Sequence, residues 1–169
     1  CLGKIIGGGF PVACVGGRQD IMDLLAPVGL VYQAGTLSGN PVSMASGIKT
    51  LECLEASIKL YDNLEDKTKH LVSILRSLAK AHGIPLTINT VGSIFSIFFT
   101  EKKVESYADT QYSDKADYAR FFSALCQEGV LLPPSAFEAC FVSEAHSNVS
   151  IEKTANAFKK IFSSRRKGL

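Results

Sequence analysis

Apolar residues recur at helical spacing over most of this chain and predict its longest elements. The pattern predicts a helix over residues 42–54, which begins after Asn40 as the N-cap and Pro41 in the first turn. A second helix is predicted over residues 58–81, with Gly83 as its C-cap. Small residues in the first of these helices would allow close packing against another element: Ser43, Ala45, Ser46 and Gly47.

The rest of the second half predicts short strands and two more helices. Residues 86–89 and 93–100 are rich in Ile, Phe and Thr, which favour strands, and residues 130–132 form a third candidate strand. Helices are predicted over residues 114–128 and, with Ser150 as N-cap, at the C-terminal end. This order indicates a small two-layer α/β unit, with helices on one face of a mostly antiparallel sheet.

The first part of the chain has a different pattern, because glycines alternate there with short apolar stretches. Residues 10–15 predict a short buried strand between tight turns, and residues 20–25 predict a short helix. We therefore divide the chain into two domains, residues 1–57 with the connecting helix and residues 58–169.

Composition and charge narrow the class of protein. The chain is 46% hydrophobic and 20% charged, so it can bury a core, and its formal net charge of +2 argues against a dedicated nucleic-acid surface. No apolar run approaches the roughly 20 residues that a membrane-spanning helix needs. The basic cluster at residues 165–167 is predicted to be a solvated tail.

Cysteine and histidine spacing gives no sign of a metal site. The three histidines are far apart, and the cysteines have no C-x-x-C pairing. This favours reduced thiols in a cytosol-like compartment over a disulfide framework, and we expect most of the thiols to be buried. The five cysteines are Cys1, Cys14, Cys53, Cys126 and Cys140.

The first chemical candidate is Lys4, in the run Gly-Lys-Ile-Ile-Gly-Gly-Gly at residues 3–9. Glycines let backbone approach a ligand closely, and a partly desolvated lysine readily forms a Schiff base with an aldehyde. The alternative is an ordinary surface lysine beside a glycine turn. A phosphate-binding P-loop is rejected, because that motif places its lysine after the glycines.

Two other segments carry candidate binding residues. Gly35, Thr36 and Ser38 precede a helix, where backbone N–H groups and a hydroxyl can bind an anion, or the segment is an ordinary capping turn. Tyr32 can stack on a flat ligand, although a single tyrosine is more often part of packing. Glu138 follows a Pro-Pro loop and can bind an amino group or point into solvent.

Taken in order, these segments resemble the class III aminotransferase family, whose members use pyridoxal 5′-phosphate. Residues 3–12 resemble its cofactor-lysine segment. Residues 32–41, Tyr-Gln-Ala-Gly-Thr-Leu-Ser-Gly-Asn-Pro, are closer to the branch that isomerises glutamate 1-semialdehyde to 5-aminolevulinate in tetrapyrrole biosynthesis. Residues 137–139 and 143–146 resemble the C-terminal motif of that branch, so the similarity covers nearly the whole chain.

The resemblance implies a homodimer of fold-type I in the cytoplasm, or in the plastid stroma of a plant or alga, acting on a small molecule. It implies that Lys4 forms the Schiff base with the cofactor and moves a proton between substrate carbons. Gly35 and Thr36 would contact the cofactor phosphate of the neighbouring subunit, and Tyr32 and Glu138 would contact the substrate. No nucleic acid, membrane or metal is implied.

Three reservations accompany this hypothesis. The chain begins at Cys1 rather than at Met, so we expect a C-terminal fragment that is inactive alone, with further cofactor residues upstream. The segment Ala13-Cys14-Val15 and the residue Cys140 add bulk, relative to the family, at positions expected to be buried. The alternatives are a class III enzyme with a separate amino acceptor and a non-catalytic interaction module.

Overall fold

The computed structural model describes residues 1–165 and divides the chain into two compact units, Cys1–Ile58 and Lys59–Leu169. Each unit is described by itself. Of the predicted basic tail, residues 166–167 lie outside the described residues. Arg165 contradicts the prediction, because its Nη1 lies 2.9 Å from Asp117 Oδ2 and its guanidinium stands over the Phe99 ring.

The first unit contains a two-stranded ribbon and one long helix. Strand β1, Leu2–Gly3, pairs antiparallel with β2, Ala13–Cys14, and the 3₁₀ helix Lys4–Gly7 follows β1 directly. The short helix α1, Gln19–Met22, comes next. The prediction of a buried strand at residues 10–15 is wrong, since only two of these residues form a strand and both are exposed. A two-stranded ribbon alone buries little of its own surface.

Helix α2, Pro41–Ala56, confirms the predicted helix and its start. The Asn40 side chain accepts hydrogen bonds from the N–H groups of Val42 and Ser43, each at 3.1 Å. Asn40 thus satisfies two of the four donors that a helix N-terminus leaves unpaired.

The second unit is the predicted two-layer α/β structure. Its antiparallel sheet has the strand order β3-β4-β5, and its three helices provide the other layer. The class of fold predicted from the sequence pattern is therefore confirmed. The elements are α3, Leu60–His82; β3, Thr87–Val91; β4, Ile94–Phe98; a 3₁₀ helix, Ala108–Tyr112; α4, Lys115–Gln127; β5, Cys140–Phe141; and α5, Asn148–Arg165.

Aromatic rings from α4 and α5 form the centre of this second core. Phe121, Phe158 and Phe162 are fully buried. The ring centroids of Phe121 and Phe158 are 4.8 Å apart in an edge-to-face arrangement, which aromatic pairs favour. None of the helices within residues 1–165 has the length and apolarity needed to cross a bilayer.

Two local predictions in this unit are wrong. Residues 130–132 do not form a strand, because the two edges of β4 are already taken by β3 and β5. The last helix begins at Asn148 rather than after Ser150. Ser147 is the residue that caps it, since its hydroxyl accepts a hydrogen bond from the Ser150 N–H at 3.2 Å.

The cysteines also depart from expectation, because only Cys140 is buried and the other four are exposed. Ala13, the neighbour of Cys14, is exposed too, so the side chains at these two positions do not pack into a core. Burial of Cys140 in the β5 strand confirms the expectation for that residue and raises the pKa of its thiol to about 12.

We expect the Cys140 thiol to stay protonated and unreactive in the folded protein. At pH 8 Ellman's reagent should modify the four exposed thiols first and Cys140 only on unfolding.

The stability of the protein should also depend on the ionisation of Cys140. Because the pKa of Cys140 is raised in the folded state, its contribution to the free energy of unfolding is complete below the ordinary pKa of 9.0. That contribution is lost as pH rises towards about 12. Urea unfolding at pH 8 and pH 10.5, with Cys140→Ala as control, measures this loss. An equal pH dependence in the variant would contradict the assignment to Cys140.

Candidate active site

Lys4 is the first residue of the 3₁₀ helix that follows β1, and its side chain is exposed. Its backbone φ is +56°, and it is the non-glycine residue with positive φ among residues 1–165. This left-handed conformation costs an L-residue roughly 1–2 kcal/mol, and such strain is concentrated at functional sites. The sequence pattern pointed to Lys4 but contained no sign of this strain.

The turn that follows Lys4 packs against the small-residue face of α2. A Cβ atom added to Gly47 would lie 3.3 Å from the Ile6 carbonyl oxygen. One added to Gly8, which has a φ of +57°, would lie 2.3 Å from Thr50 Oγ1. The predicted close packing of α2 is therefore confirmed, and its partner is the segment that carries Lys4.

A single hydrogen bond joins the side chains of α2 to this turn. Ser46 Oγ donates to the Gly7 carbonyl oxygen at 2.8 Å, across 39 residues of sequence. The same carbonyl accepts the Phe10 N–H at 3.0 Å. Sequence reasoning singled out Ser46 only for its small size, since the partner of a serine hydroxyl cannot be read from local spacing.

The candidate anion site at Gly35 and Thr36 leads into the same helix. The Ser38 N–H donates to the Gly35 carbonyl at 2.9 Å, which closes a turn that leaves Thr36 exposed. The Asn40 side chain already accepts hydrogen bonds from two N–H groups in the first turn of α2. Within residues 1–165 the N–H groups of Gly35 and Thr36 have no hydrogen-bond acceptor, so these N–H groups and the Thr36 hydroxyl can donate to a phosphate.

Helix α2 therefore connects the turn at Gly35 and Thr36 to the Lys4 turn within the first unit. Its start follows Thr36 by five residues, and Ser46 contacts the Lys4 turn about 7.5 Å further along the helix axis. Tyr32 belongs to the same unit and is 82% exposed. It packs into no core there, so its aromatic face is free for a ligand.

Glu138 belongs to the second unit, in an exposed position on an anchored loop. The buried Tyr118 hydroxyl donates to the Pro133 carbonyl at 2.8 Å, and burial holds the pKa of Tyr118 above its usual range. The Ser135 hydroxyl accepts the Phe137 N–H at 3.2 Å, and the Ser135 carbonyl accepts the Glu138 N–H at 3.1 Å. The loop therefore presents the carboxylate from a fixed backbone, and the contact of Glu138 with the substrate stays a prediction.

The described part of the chain contains no cluster of three or more His, Cys, Asp or Glu side chains arranged to hold a metal ion. The candidate residues present other donors: the exposed Lys4 amine, the Thr36 hydroxyl, and the backbone N–H groups of Gly35 and Thr36. The amine suits an aldehyde, and the hydroxyl with the backbone N–H groups suits a phosphate.

Comparison with known proteins identifies the relatives of this chain. The family model described as aminotransferase class III matches residues 1–162. An omega-transaminase from Sphaerobacter thermophilus is 27% identical, with a TM-score of 0.82, over 98% of this chain and 38% of its own. A β-phenylalanine aminotransferase from Variovorax paradoxus is 26% identical, with a TM-score of 0.83, over 99% of this chain and 39% of its own.

A more distant similarity is to a glutamate-1-semialdehyde aminomutase from Pseudomonas aeruginosa PAO1. It is 15% identical, with a TM-score of 0.67, over 80% of this chain and 30% of that structure. At this identity the match shows the shared fold alone. The chain spans less than two fifths of the length of each of these three structures.

Proposed function

This chain belongs to the class III aminotransferase family, and from that premise we propose that it carries the catalytic lysine of an aminomutase. The proposed reaction moves an amino group within glutamate 1-semialdehyde and yields 5-aminolevulinate, the precursor for tetrapyrroles. The observation that carries the proposal is the arrangement on α2. The aminomutase-like segment at residues 32–41 leads into this helix, and the helix binds the Lys4 turn.

Pyridoxal phosphate is the cofactor of this family, and when bound it supplies an electron sink for the amino-transfer chemistry. In the proposal the Lys4 amine would hold the cofactor covalently at rest. Once another amino group displaces it, the freed Lys4 amine would take and return a proton at the substrate carbons. The left-handed backbone orients that amine. Gly35 and Thr36 bind the phosphate through two N–H groups and a hydroxyl, on the cofactor of the neighbouring subunit of a homodimer.

The two units have different roles in this proposal. The first unit is the end of the large cofactor-binding domain, and the second is the small C-terminal domain. Tyr32 stacks on the bound ligand, and Glu138 holds the substrate amino group from the anchored loop. We place the enzyme in the cytoplasm, or in the plastid stroma of a plant or alga.

A second candidate is transfer of the amino group to a separate keto acid. The two transaminases that are 26–27% identical over nearly the whole chain favour it. Both candidates use Lys4 in the same way, so the lysine does not distinguish them. The difference lies in whether an external acceptor is consumed.

The intact enzyme is therefore tested with glutamate 1-semialdehyde alone and with added pyruvate. The aminomutase should form 5-aminolevulinate without the keto acid, at a rate that pyruvate does not raise. Alanine formed from pyruvate, with the semialdehyde losing its amino group to become a dicarbonyl acid, would establish the second candidate, and turnover of neither mixture would overturn both. Lys4→Ala enzyme is the blank for uncatalysed reaction of the semialdehyde.

Substitution of Asn40 separates helix capping from phosphate binding. Asn40→Ala should lower the free energy of unfolding by about 1 kcal/mol, because two N–H groups lose their acceptor. Asn40→Ser and Asn40→Asp should both keep the cap. Only Asn40→Asp adds negative charge, four residues after Thr36, so it should raise the dissociation constant of the cofactor about tenfold, or about 1.4 kcal/mol.

Urea unfolding and equilibrium dialysis with pyridoxal phosphate measure the two effects of these Asn40 variants separately. Equal cofactor affinity for Asn40→Ser and Asn40→Asp would place the phosphate away from this turn.

A further inference from the structure

We propose that Ser46 is a positioning residue for Lys4, acting through the Gly7 carbonyl. The inference rests on the proposed role of Lys4 and adds a residue that does not itself touch cofactor or substrate. The hydrogen bond from Ser46 Oγ to the Gly7 oxygen measures 2.8 Å. It connects a rigid helix to the end of the 3₁₀ helix that begins at Lys4.

The Lys4 backbone needs such support because its conformation is unfavourable. A residue held at a φ of +56° relaxes unless the chain on both sides is fixed. On one side Gly3 is fixed by its pairing with Ala13 in the β-ribbon. On the other side the turn is fixed where Gly7 accepts the Ser46 hydroxyl.

Ser46 is itself held in place by the next turn of its helix. Thr50 Oγ1 donates to the Ser46 carbonyl at 2.9 Å, and Ser46 is partly buried. Gly7 is buried against Val12, and a Cβ atom on Gly7 would lie 3.2 Å from Val12 Cβ. The Gly7 carbonyl still accepts the Phe10 N–H, so loss of the serine hydroxyl removes the bond to α2 and leaves the bond within the turn.

Ser43 provides a matched control on the same helix face. It lies one turn before Ser46 and is 2% exposed, so Ser43→Ala removes the same hydroxyl from a position that is more deeply buried than Ser46. Within residues 1–165 the Ser43 hydroxyl makes no hydrogen bond to the Lys4 turn. Ser46→Thr retains a hydroxyl at the proposed position.

The first readout is amide hydrogen exchange of the intact enzyme without cofactor. Ser46→Ala should speed exchange of the Gly8 and Phe10 amides at least tenfold, because these N–H groups bond to carbonyls within the turn. Ser43→Ala should leave both amides unchanged, and Ser46→Thr should restore slow exchange.

The second readout is kinetic. Ser46→Ala should lower kcat about tenfold and leave KM within twofold, since the amine is misplaced while the substrate contacts remain. If Ser46→Ala had the same amide exchange rates and the same kcat as Ser43→Ala, the inference would be overturned. So would a loss of thermal stability without the exchange and kcat effects. Activity that survives Lys4→Ala would instead overturn the proposed function, so the two failures are distinguishable.

Discussion

Replacement of Lys4 by alanine is expected to reduce kcat of the intact enzyme by roughly 10⁴-fold. Positioned proton transfer alone contributes up to about that factor, and the covalent attachment of the cofactor is lost as well. The measurements are product formation from glutamate 1-semialdehyde and borohydride reduction followed by peptide mass spectrometry. The cofactor should be recovered on the Lys4 peptide of the wild type and on no peptide of the variant.

Lys4→Arg is the control for charge. Arginine keeps a positive charge on a similar stem, but its guanidinium stays protonated and cannot act as the base. We expect Lys4→Arg to be as inactive as Lys4→Ala. An active arginine variant would show that Lys4 acts only as a cation, and an alanine variant within tenfold of wild type would remove Lys4 from the chemistry.

The strain at Lys4 adds a stability test that does not depend on activity. Asparagine tolerates the left-handed region better than alanine, so Lys4→Asn should be more stable than Lys4→Ala by about 0.5–1 kcal/mol. At Lys49, in the middle of α2, the order should reverse, because alanine favours helix more than asparagine does. The same order at both positions would contradict the left-handed backbone.

The largest effect on stability in the first unit is expected for Gly8→Ala, at about 2–4 kcal/mol. The left-handed φ of +57° contributes part of this cost, and the contact of the new methyl group with Thr50 Oγ1 at 2.3 Å contributes the rest. Thr50 cannot simply rotate away, because its hydroxyl donates to the Ser46 carbonyl. Chemical denaturation of the cofactor-free protein measures the change.

Two further variants separate strain from overlap. Gly39 has a φ of +71° with nothing within 4 Å of an added Cβ, so Gly39→Ala should cost only the strain, about 1–2 kcal/mol. Adding Thr50→Ala to Gly8→Ala leaves Ser46 Oγ, at 3.1 Å, as the nearest atom. The double variant should therefore be more stable than the sum of the single effects predicts. Strict additivity would show that Gly8 does not contact α2.

Features that depend on neighbours in sequence were predicted well. The start of α2 at Asn40 and Pro41 depends on one side chain and two N–H groups within three residues. The end of α3 at Gly83 depends on the left-handed conformation of one glycine, which has a φ of +65°. Such signals act locally, so periodicity and capping residues determine them without knowledge of the fold.

Features that depend on distant partners were predicted poorly or not at all. Residues 130–132 are as apolar as a buried strand, which is why a strand was predicted there. They form none, because both edges of β4 are paired with β3 and β5. Exposure of Cys14 and Cys53 likewise depends on what covers them, which residue type does not specify. Burial and strand pairing are properties of the assembled unit.

The sequence by itself determined the long helices of this protein, its α/β class and the order of its candidate site residues, because each of these follows from local spacing or motif resemblance. Only the tertiary structure decided how Lys4 is held. Its left-handed backbone and the Ser46 hydrogen bond to Gly7 depend on contacts between segments 39 residues apart. Contacts at that separation follow from packing, so no local pattern in the chain could have indicated them.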